Sequence, residues 1–234
     1  MSKPVGLSAE LSSFSGVAPL FPLPDFVLFP QVTQPLHVFE PRYRSLLSDA
    51  LAGERLIAVG TLKPHWENLY DTKTAPVWPD LCLGRVIVDK ELEDGRSLIV
   101  LRGMCRARIR AEKLTKTPYR QVELDLKLDE YPGTPEIARA NRRAELLEGL
   151  LSVTPETEAA REATESALRD LPLGVLADLI ASSIKLPTET LVELIRETNV
   201  DLRTDMLLDI LRALRQTRAE QAKSRTFPPE FSPN

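Results

Sequence analysis

The sequence predicts an α+β protein whose first half is rich in β-strands, with one inserted helix, and whose second half is helical. Residues 122–129 alternate strictly between apolar and charged side chains, which predicts a half-buried strand with one wet face. Beyond residue 131 the apolar period changes from two to about 3.6, which is typical of helices. Because Pro132-Gly133 lies at this change, we predict a domain boundary there.

The other strands are predicted from runs of aliphatic and β-branched residues at 54–62 and 81–92. The pair Asp94-Gly95 predicts a hairpin with a type I′ turn, since that turn needs a positive φ at both central positions. Gly103 is expected at a bulge or at the bend of a small barrel. Four early prolines are expected to punctuate short strand pieces at edge or corner positions: Pro19, Pro22, Pro24 and Pro30.

The inserted helix is predicted to follow Glu40, because Pro41 suits the first helical turn and Gly53 is a natural stop. Its apolar face carries Tyr43, Leu46, Leu47, Ala50 and Leu51. Charged residues at a helix start often have capping and dipole roles. Glu40 and Arg42 therefore either pair locally or clamp the helix to the barrel.

In the second half, two Thr-Pro-Glu segments predict helix starts with Thr134 and Thr154 as N-caps. Residues 172–184 are apolar enough to form a buried central helix, and two further helices are expected after Pro187 and from Val200. The predicted division is a disordered tail at 1–16, a β subdomain at 17–131, a helical bundle at 132–222 and a mobile tail at 223–234.

The composition excludes several classes of protein. The chain has 234 residues and a formal net charge of −4, which argues against a nucleic-acid partner. No apolar run approaches the ~20 residues of a membrane span, and the N-terminus lacks a secretory apolar region, so we expect no membrane partner. Two cysteines cannot build a disulfide framework. We therefore predict a cytoplasmic protein with reduced thiols, and the sequence leaves its oligomeric state open.

Signatures of known chemistry are missing from the sequence. It contains no phosphate loop, no dinucleotide-binding glycine motif and no nucleophile elbow. With His37 and His65 as the only histidines and no CxxC pair, we predict no metal site, no cofactor and no catalytic residue. His37 is interpreted as a strand residue that faces solvent or bonds a neighbouring strand, and Cys82 and Cys105 as small buried apolar residues.

The candidate binding residues lie in the connection Lys63–Asp80, which contains His65, Trp66, Tyr70 and Trp78. Connections longer than about 12–15 residues are usually functional or disordered. Large aromatic side chains on a loop are typical anchors of a binding surface. The alternative is that they fold back and close the open end of a small barrel, since Trp is buried in most proteins.

Three ordered segments carry a resemblance to a known family. They are the opening "PLFPLPDFVLFPQVTQPLHVFEPRYRSLL", then "LRGMCRARI", and the helical "LADLIASSIKLPTETLVELIRETNVDLRTDMLLDIL". Together they resemble the N-terminal, substrate-binding LON domain of the Lon protease family. Two motifs match the family's signature and are interpreted as structural: Phe39, Glu40, Pro41, Arg42 and Tyr43 in the first, and Gly103, Arg106 and Ile109 in the second.

The resemblance implies a free-standing LON domain, with a PUA-like β pseudo-barrel followed by a helical bundle. It implies a non-enzymatic module that recognises unfolded or misfolded polypeptide, or a protein partner such as a protease or chaperone. ATP hydrolysis and peptide cleavage are not implied, because neither a phosphate loop nor the family's Ser-Lys protease domain is present. The alternative is an enzyme or a small-molecule-binding protein that uses the groove between barrel and bundle.

Overall fold

The computed structural model describes residues 9–133, 135–154 and 157–225. The strands are β1 Val17–Leu23, β2 Thr33–Val38, β3 Leu56–Thr61, β4 Asp80–Glu91, β5 Ser97–Lys113 and β6 Arg120–Lys127. The α-helices in the described ranges are α1 Pro41–Ala52, α2 Glu136–Val153, α3 Glu158–Leu168, α4 Leu173–Ser183, α5 Thr188–Arg196 and α6 Val200–Arg225. None of these helices is long and apolar enough to cross a membrane.

The six strands form one mixed sheet in the order β2-β5-β4-β3-β1-β6, and β6 also pairs with β5. Only β1 and β3 run parallel. The sheet closes on itself because the long strand β5 has two partners on the same side: its residues 97–102 pair with β2, and its residues 106–113 pair with β6. Five strands thus form a closed ring, and β2 extends it from β5 with one neighbour. A β-rich first half with one inserted helix, followed by helices, is confirmed.

Pro19 and Pro22 lie inside β1, so the prediction that they punctuate short strand pieces was wrong for these two. Pro24 directly follows the last residue of β1, and Pro30 lies between β1 and β2. Pro19 pairs with β6, and Pro22 pairs with β3. The ladder to β6 ends at Leu20, where the ladder to β3 begins. Pro19 therefore lies where β1 pairs only with β6, and Pro22 lies where β1 pairs only with β3. Because no strand of the described chain is bonded to the opposite edge of β1 at either position, the missing N–H of the proline interrupts no ladder there.

The predicted β4–β5 hairpin is present, but its turn is not type I′. Gly95 has a φ of +74°, whereas Asp94 is absent from the residues with positive φ. The Gly95 N–H donates to the Leu92 carbonyl at 2.8 Å, and the Leu92 N–H donates to the Arg96 carbonyl at 2.8 Å. This pattern is a turn followed by one left-handed glycine, the common arrangement of slightly longer hairpin loops. The Asp94 carboxylate accepts the Arg96 N–H at 3.0 Å and so supports the turn.

Gly103 marks a bulge, as predicted. Leu83 pairs with Cys105 and Gly84 pairs with Gly103, which leaves Met104 as the additional residue. A side chain at Gly103 is excluded because a Cβ there would lie 2.0 Å from the Phe29 carbonyl oxygen. The connection between β1 and β2, which contains Phe29 and Val32, thus passes directly over β5. The Val32 carbonyl accepts the Gly103 N–H at 2.9 Å.

The inserted helix α1 follows the predicted pattern. Pro41 is its first residue, and the buried face comprises Tyr43, Leu46, Leu47 and Ala50. The Gly53 N–H donates to the Ala50 carbonyl and ends the helix. The helix packs against β1, where the Tyr43 ring lies 4.6 Å from the Phe21 ring.

The predicted N-terminal tail was wrong for residues 9–16. Ala9–Leu11 form a 3₁₀ turn, and Leu11 and Phe14 are buried in the core formed by β1, β3, β4, β5 and β6. Two apolar side chains spaced by three residues cover this end of the core, and that burial orders the segment. The predicted tails at residues 1–8 and 226–234 lie outside the described residues, and α6 continues to Arg225.

The contacts divide the chain into two compact units. The β-rich unit comprises the described residues up to Glu130 and Asp178–Thr198; the helical unit comprises Tyr131–Ala177 and the residues from Asn199 onward. The first change of unit lies beside the boundary drawn from the sequence. Residues 178–198 differ from the sequence-based division because Asp178 binds Arg106 of β5 and α5 packs against β4.

Two helix starts in the helical unit differ from the prediction. Helix α2 begins at Glu136 with Pro135 as its N-cap, and Thr134 lies outside the described residues. Helix α3 is capped by Thr157, whose hydroxyl accepts the Ala160 N–H at 3.4 Å. Thr154 instead ends α2, where its hydroxyl donates to the Leu150 carbonyl at 3.0 Å. A third threonine close to the Thr-Pro-Glu segment therefore takes the cap.

Helices α2 and α6 form the core of the helical unit. Arg142 of α2 pairs with Asp205 of α6 at 2.7 Å. The helices bury leucines from both sides: Leu146, Leu147, Leu150, Leu207, Leu208 and Leu211.

Candidate functional site

The connection that carries the candidate aromatic residues is a closed loop with a fixed neck. The Lys63 N–H donates to the Pro76 carbonyl at 2.8 Å, and the Trp78 N–H donates to the Thr61 carbonyl at 2.9 Å. A 3₁₀ turn, Glu67–Leu69, lies at its far end. A compact surface loop whose two ends are bonded together is an Ω-loop, a form that often has a function. We call residues 63–78 the aromatic loop.

The aromatic loop is fastened to the start of α1 by Glu40, Arg42 and Tyr70. The Tyr70 hydroxyl donates to Glu40 Oε1 at 2.6 Å, and Arg42 Nε donates to Glu40 Oε2 at 2.9 Å. Arg42 also donates to the Tyr70 carbonyl at 2.6 Å. Its guanidinium lies 4.7 Å from the Tyr70 ring centre and 4.6 Å from that of Tyr43. Glu40 and Arg42 therefore pair locally and also hold the loop, which we call the Glu40–Arg42 clamp.

The other predicted loop residues are only partly brought together. Trp66 meets Tyr70 edge to face at 5.1 Å, and both side chains are half-buried. Trp78 lies at the neck, with Lys63 Nζ 5.1 Å from its ring. His65 is exposed and has a φ of +67°. Leu69, which the sequence reasoning missed, is 38% exposed at the tip. The site at the Glu40–Arg42 clamp therefore contains Trp66 and Tyr70, while Trp78 lies apart from them at the neck, in contact with Lys63.

Tyr43, Tyr70 and the two cysteines of the β-rich unit keep their protons at neutral pH. Burial, and then the hydrogen bond to Glu40, raise the pKa of Tyr70 well above its usual range. Burial also raises the pKa of Tyr43 to about 12. The Cys105 pKa is raised to about 12 by burial, and that of the fully buried Cys82 well above its usual value. These groups can donate hydrogen bonds, but they supply neither a general base nor a reactive thiolate.

No cluster of three or more metal-ligating side chains is found in the part of the chain that the structure describes. His37 is exposed on β2, opposite Leu98 of β5. The prediction of a strand histidine facing solvent is thus confirmed.

The two signature motifs have different surroundings. In the first, Phe39 is 58% exposed, although the neighbouring Glu40, Arg42 and Tyr43 are half-buried or buried. In the second, Arg106 is buried and binds Asp178 through two nitrogens, one of them at 2.9 Å from Oδ2.

The exposed face of β2, β5 and β4 was missed by the sequence reasoning. Phe39 continues this face beyond β2, and its ring lies 5.8 Å from that of His37. Leu98 of β5 and Val88 of β4 are also exposed. A signal was available, because the runs 86–88 and 98–101 are apolar at successive positions, as in strands covered on both faces. Here one of those faces is left uncovered.

Residues 17–213 match the family described as the ATP-dependent protease La (LON) substrate-binding domain. The chain belongs to the LON substrate-binding domain family. The match includes every strand and both signature motifs, so the resemblance drawn from the three sequence segments is confirmed. The match ends inside α6.

Relatives of this LON domain are longer proteins. Lon protease of Anaeromyxobacter dehalogenans (strain 2CP-C) is 26% identical over 218 residues, which are 92% of this chain and 25% of the relative. Lon protease 4 of Sorangium cellulosum (strain So ce56) is 30% identical over 211 residues, 88% of this chain and 24% of the relative. The chain spans about a quarter of the length of the curated relatives it matches.

Solved structures show the same fold. The N-terminal domain of Mycobacterium avium complex Lon protease has a TM-score of 0.65 at 17% identity, covering 84% of this chain and 98% of the other. A Lon N-terminal domain protein from Xanthomonas campestris has a TM-score of 0.58 at 18% identity, covering 82% and 97%. The six-strand mixed sheet and the helices of this chain therefore match the fold of these Lon N-terminal domains.

Proposed function

We propose that this LON domain is a non-enzymatic module that binds unfolded or misfolded polypeptide, or a protein partner presenting such a segment. The family description names substrate binding, and the matched relatives are Lon proteases. We further propose a cytoplasmic location and a PUA-like classification for the closed sheet. A protease or chaperone is the partner class to which such a module would deliver its clients.

One observation carries the proposal: the aromatic loop presents apolar side chains from a rigid base. Trp66 and Leu69 are partly exposed, while the loop neck and the Glu40–Arg42 clamp fix the backbone on either side of them. A loop already held in place loses little conformational entropy when it binds. An aromatic anchor beside an exposed Leu is a surface to which apolar segments of an unfolded chain can dock.

The test is the affinity for a fluorescently labelled, reduced and alkylated protein that cannot fold, measured by anisotropy. Trp66→Ala and Leu69→Ser should each weaken binding several-fold with little change in Tm. Ile137→Ser is the matched control, since Ile137 is an exposed apolar residue on α2 in the helical unit. Unchanged affinity in both loop variants, or no binding by the unmodified protein, would contradict the proposal.

A small-molecule ligand is the second candidate, favoured by a groove inside the β-rich unit. The groove has a volume of about 470 Å³ and lies between residues 25–34 and residues 181–191. Phe26, Val32 and Leu191 supply half-buried apolar walls, and Lys185 an exposed cation. Ligand pockets commonly measure about 300–1,000 Å³. A thermal-shift screen of small apolar carboxylates, repeated on Val32→Trp to fill the groove, tests this candidate.

A further inference from the structure

The exposed face of β2, β5 and β4 has a regular apolar pattern that the strand register defines. His37 of β2 and Lys90 of β4 both pair with Leu98 of β5. One step along, Pro35 and Val88 both pair with Val100. Directly paired residues of neighbouring strands share one face of the sheet. Two cross-strand rows, His37–Leu98–Lys90 and Pro35–Val100–Val88, therefore lie side by side, and we call them the outer face.

The outer face is exposed, in contrast to the opposite face of the same strands. Leu98 is 46% exposed and Val88 52%, whereas the intervening Ile99 is buried in the core. The bulge between Val86 and Val88 adds Ile87, which is 43% exposed. Soluble proteins rarely leave contiguous large apolar side chains uncovered, and such patches with polar rims mark interaction sites.

Of the Asp, Glu, Lys and Arg side chains, the two rows of the outer face contain only that of Lys90, which ends in an ammonium group. Lys90 is exposed and forms no ion pair with another described residue. Its neighbour Asp89 pairs with Ile99 of the core-facing row and forms an ion pair with Arg55. At the other end of the face, Arg102 is matched by Glu10 at 2.8 Å. The uncompensated charge is thus the ammonium of Lys90, beside Leu98.

We propose that the outer face binds an extended polypeptide segment whose apolar side chains cover Leu98 and Val88 and whose carboxylate pairs with Lys90. This inference rests on the proposed function and specifies the client chemistry: apolar residues with an adjacent Asp or Glu. Charge complementarity selects the carboxylate, and the apolar rows select its neighbours.

A second copy of the chain is a poorer occupant for two physical reasons. A two-fold interface would bring the same patch of both copies together, and so would place Lys90 near its equivalent without a counter-charge. Pairing through the open edge of β2 is also disfavoured, because Pro35 lacks an N–H and the Gln34 side chain donates to the Pro35 carbonyl at 3.2 Å. Contact therefore involves side chains on the face.

The test uses three short labelled peptides of alternating Leu and Gln that differ in one central residue: Glu, Gln or Lys. Anisotropy should give tighter binding for the Glu peptide, by about two- to fivefold over the Gln peptide, as expected for an exposed ion pair. Lys90→Glu should reverse this order in favour of the Lys peptide. Leu98→Ser should weaken all three by roughly tenfold. Ile137→Ser again serves as the control.

The outcomes separate this inference from the proposed function. If the unfolded protein probe binds and Trp66→Ala weakens it, but Lys90→Glu and Leu98→Ser change nothing, the outer face is not the site and only this inference falls. If no probe binds at all, both fall. If sedimentation shows a dimer that Leu98→Ser converts to a monomer, a second copy covers the face and the inference is wrong. A reversed order of peptide affinities in Lys90→Glu is a result that a loss of folding cannot produce.

Discussion

The buried ion pair between Arg106 and Asp178 joins two of the sequence segments that identify the family, and its loss should be costly. The two residues are 2% and 1% exposed. Removing one partner of a buried pair typically costs about 3–5 kcal/mol, because the other charge remains buried without compensation. Asp129 lies 3.0 Å from Arg106 and would retain part of that compensation. We therefore expect Asp178→Asn to cost about 3 kcal/mol, the lower end of the range.

The assay is urea unfolding followed by tryptophan fluorescence. Both tryptophans of the chain, Trp66 and Trp78, lie in the β-rich unit, so the signal reports that unit alone. With a slope of about 3 kcal/mol per M, the midpoint should fall by about 1 M. Arg142→Met breaks a partly exposed pair in the helical unit and should leave the fluorescence transition in place.

The double variant Arg106→Met/Asp178→Leu tests the cause. Replacing both charges by apolar residues removes the uncompensated charge, so the double variant should be more stable than Asp178→Asn. A midpoint of Asp178→Asn equal to that of the unmodified protein would refute the reasoning. A double variant less stable than either single variant would show that the site needs polar groups.

Three further predictions concern the interior of the β-rich unit. Gly103→Ala should cost at least about 1–3 kcal/mol, measured as a fall in Tm, because the new methyl group meets a backbone oxygen; Gly133→Ala, in open space, should not. Cys82 and Cys105 should resist Ellman's reagent in the native protein and react in urea, since burial raises both pKa values; rapid native reaction would contradict this. Burial raises the pKa of Tyr43 to about 12, so the folded state holds a proton that the unfolded chain releases near pH 10. The stabilisation from the retained Tyr43 proton is therefore complete below about pH 10 and is lost as the pH rises toward 12. Tyr43→Phe should flatten the pH–stability curve between these two values.

Local patterns in the sequence predicted those elements whose cause is local. The alternation at 122–129 and the apolar spacing after Pro41 correspond to β6 and α1 because each reflects burial of one face. The prolines of β1 were misjudged because the property that makes them tolerable, a single bonded neighbour at each end of the strand, depends on the pairing of β3 and β6. No local pattern carries that information.

The candidate site was predicted in part for the same reason. Composition identified the loop aromatics, but whether they are exposed depends on the partner of Tyr70, which lies 30 positions away at Glu40. The outer face was missed because an apolar run predicts a strand without saying whether a second layer covers it. Whether a strand face is covered depends on which helices pack against it. In the described part of the chain α5 packs against β4, but Leu98 and Val88 stay exposed.

The segment from Phe39 to Arg42 combines an exposed ring with the residues that hold the aromatic loop, and two substitutions can separate their effects. Phe39→Ser removes an exposed ring and leaves the Glu40–Arg42 clamp intact. Glu40→Gln removes the charge that accepts from both Tyr70 and Arg42 and leaves the exposed surface unchanged. If rigidity of the aromatic loop contributes to affinity, Glu40→Gln should weaken binding of the unfolded probe and speed hydrogen exchange at loop amides, because a loosened loop must be ordered again on binding. Phe39→Ser should weaken binding without faster exchange. Equal exchange rates in Glu40→Gln and the unmodified protein would mean that the neck hydrogen bonds alone hold the loop, and the clamp would then be a feature of α1 with no part in binding.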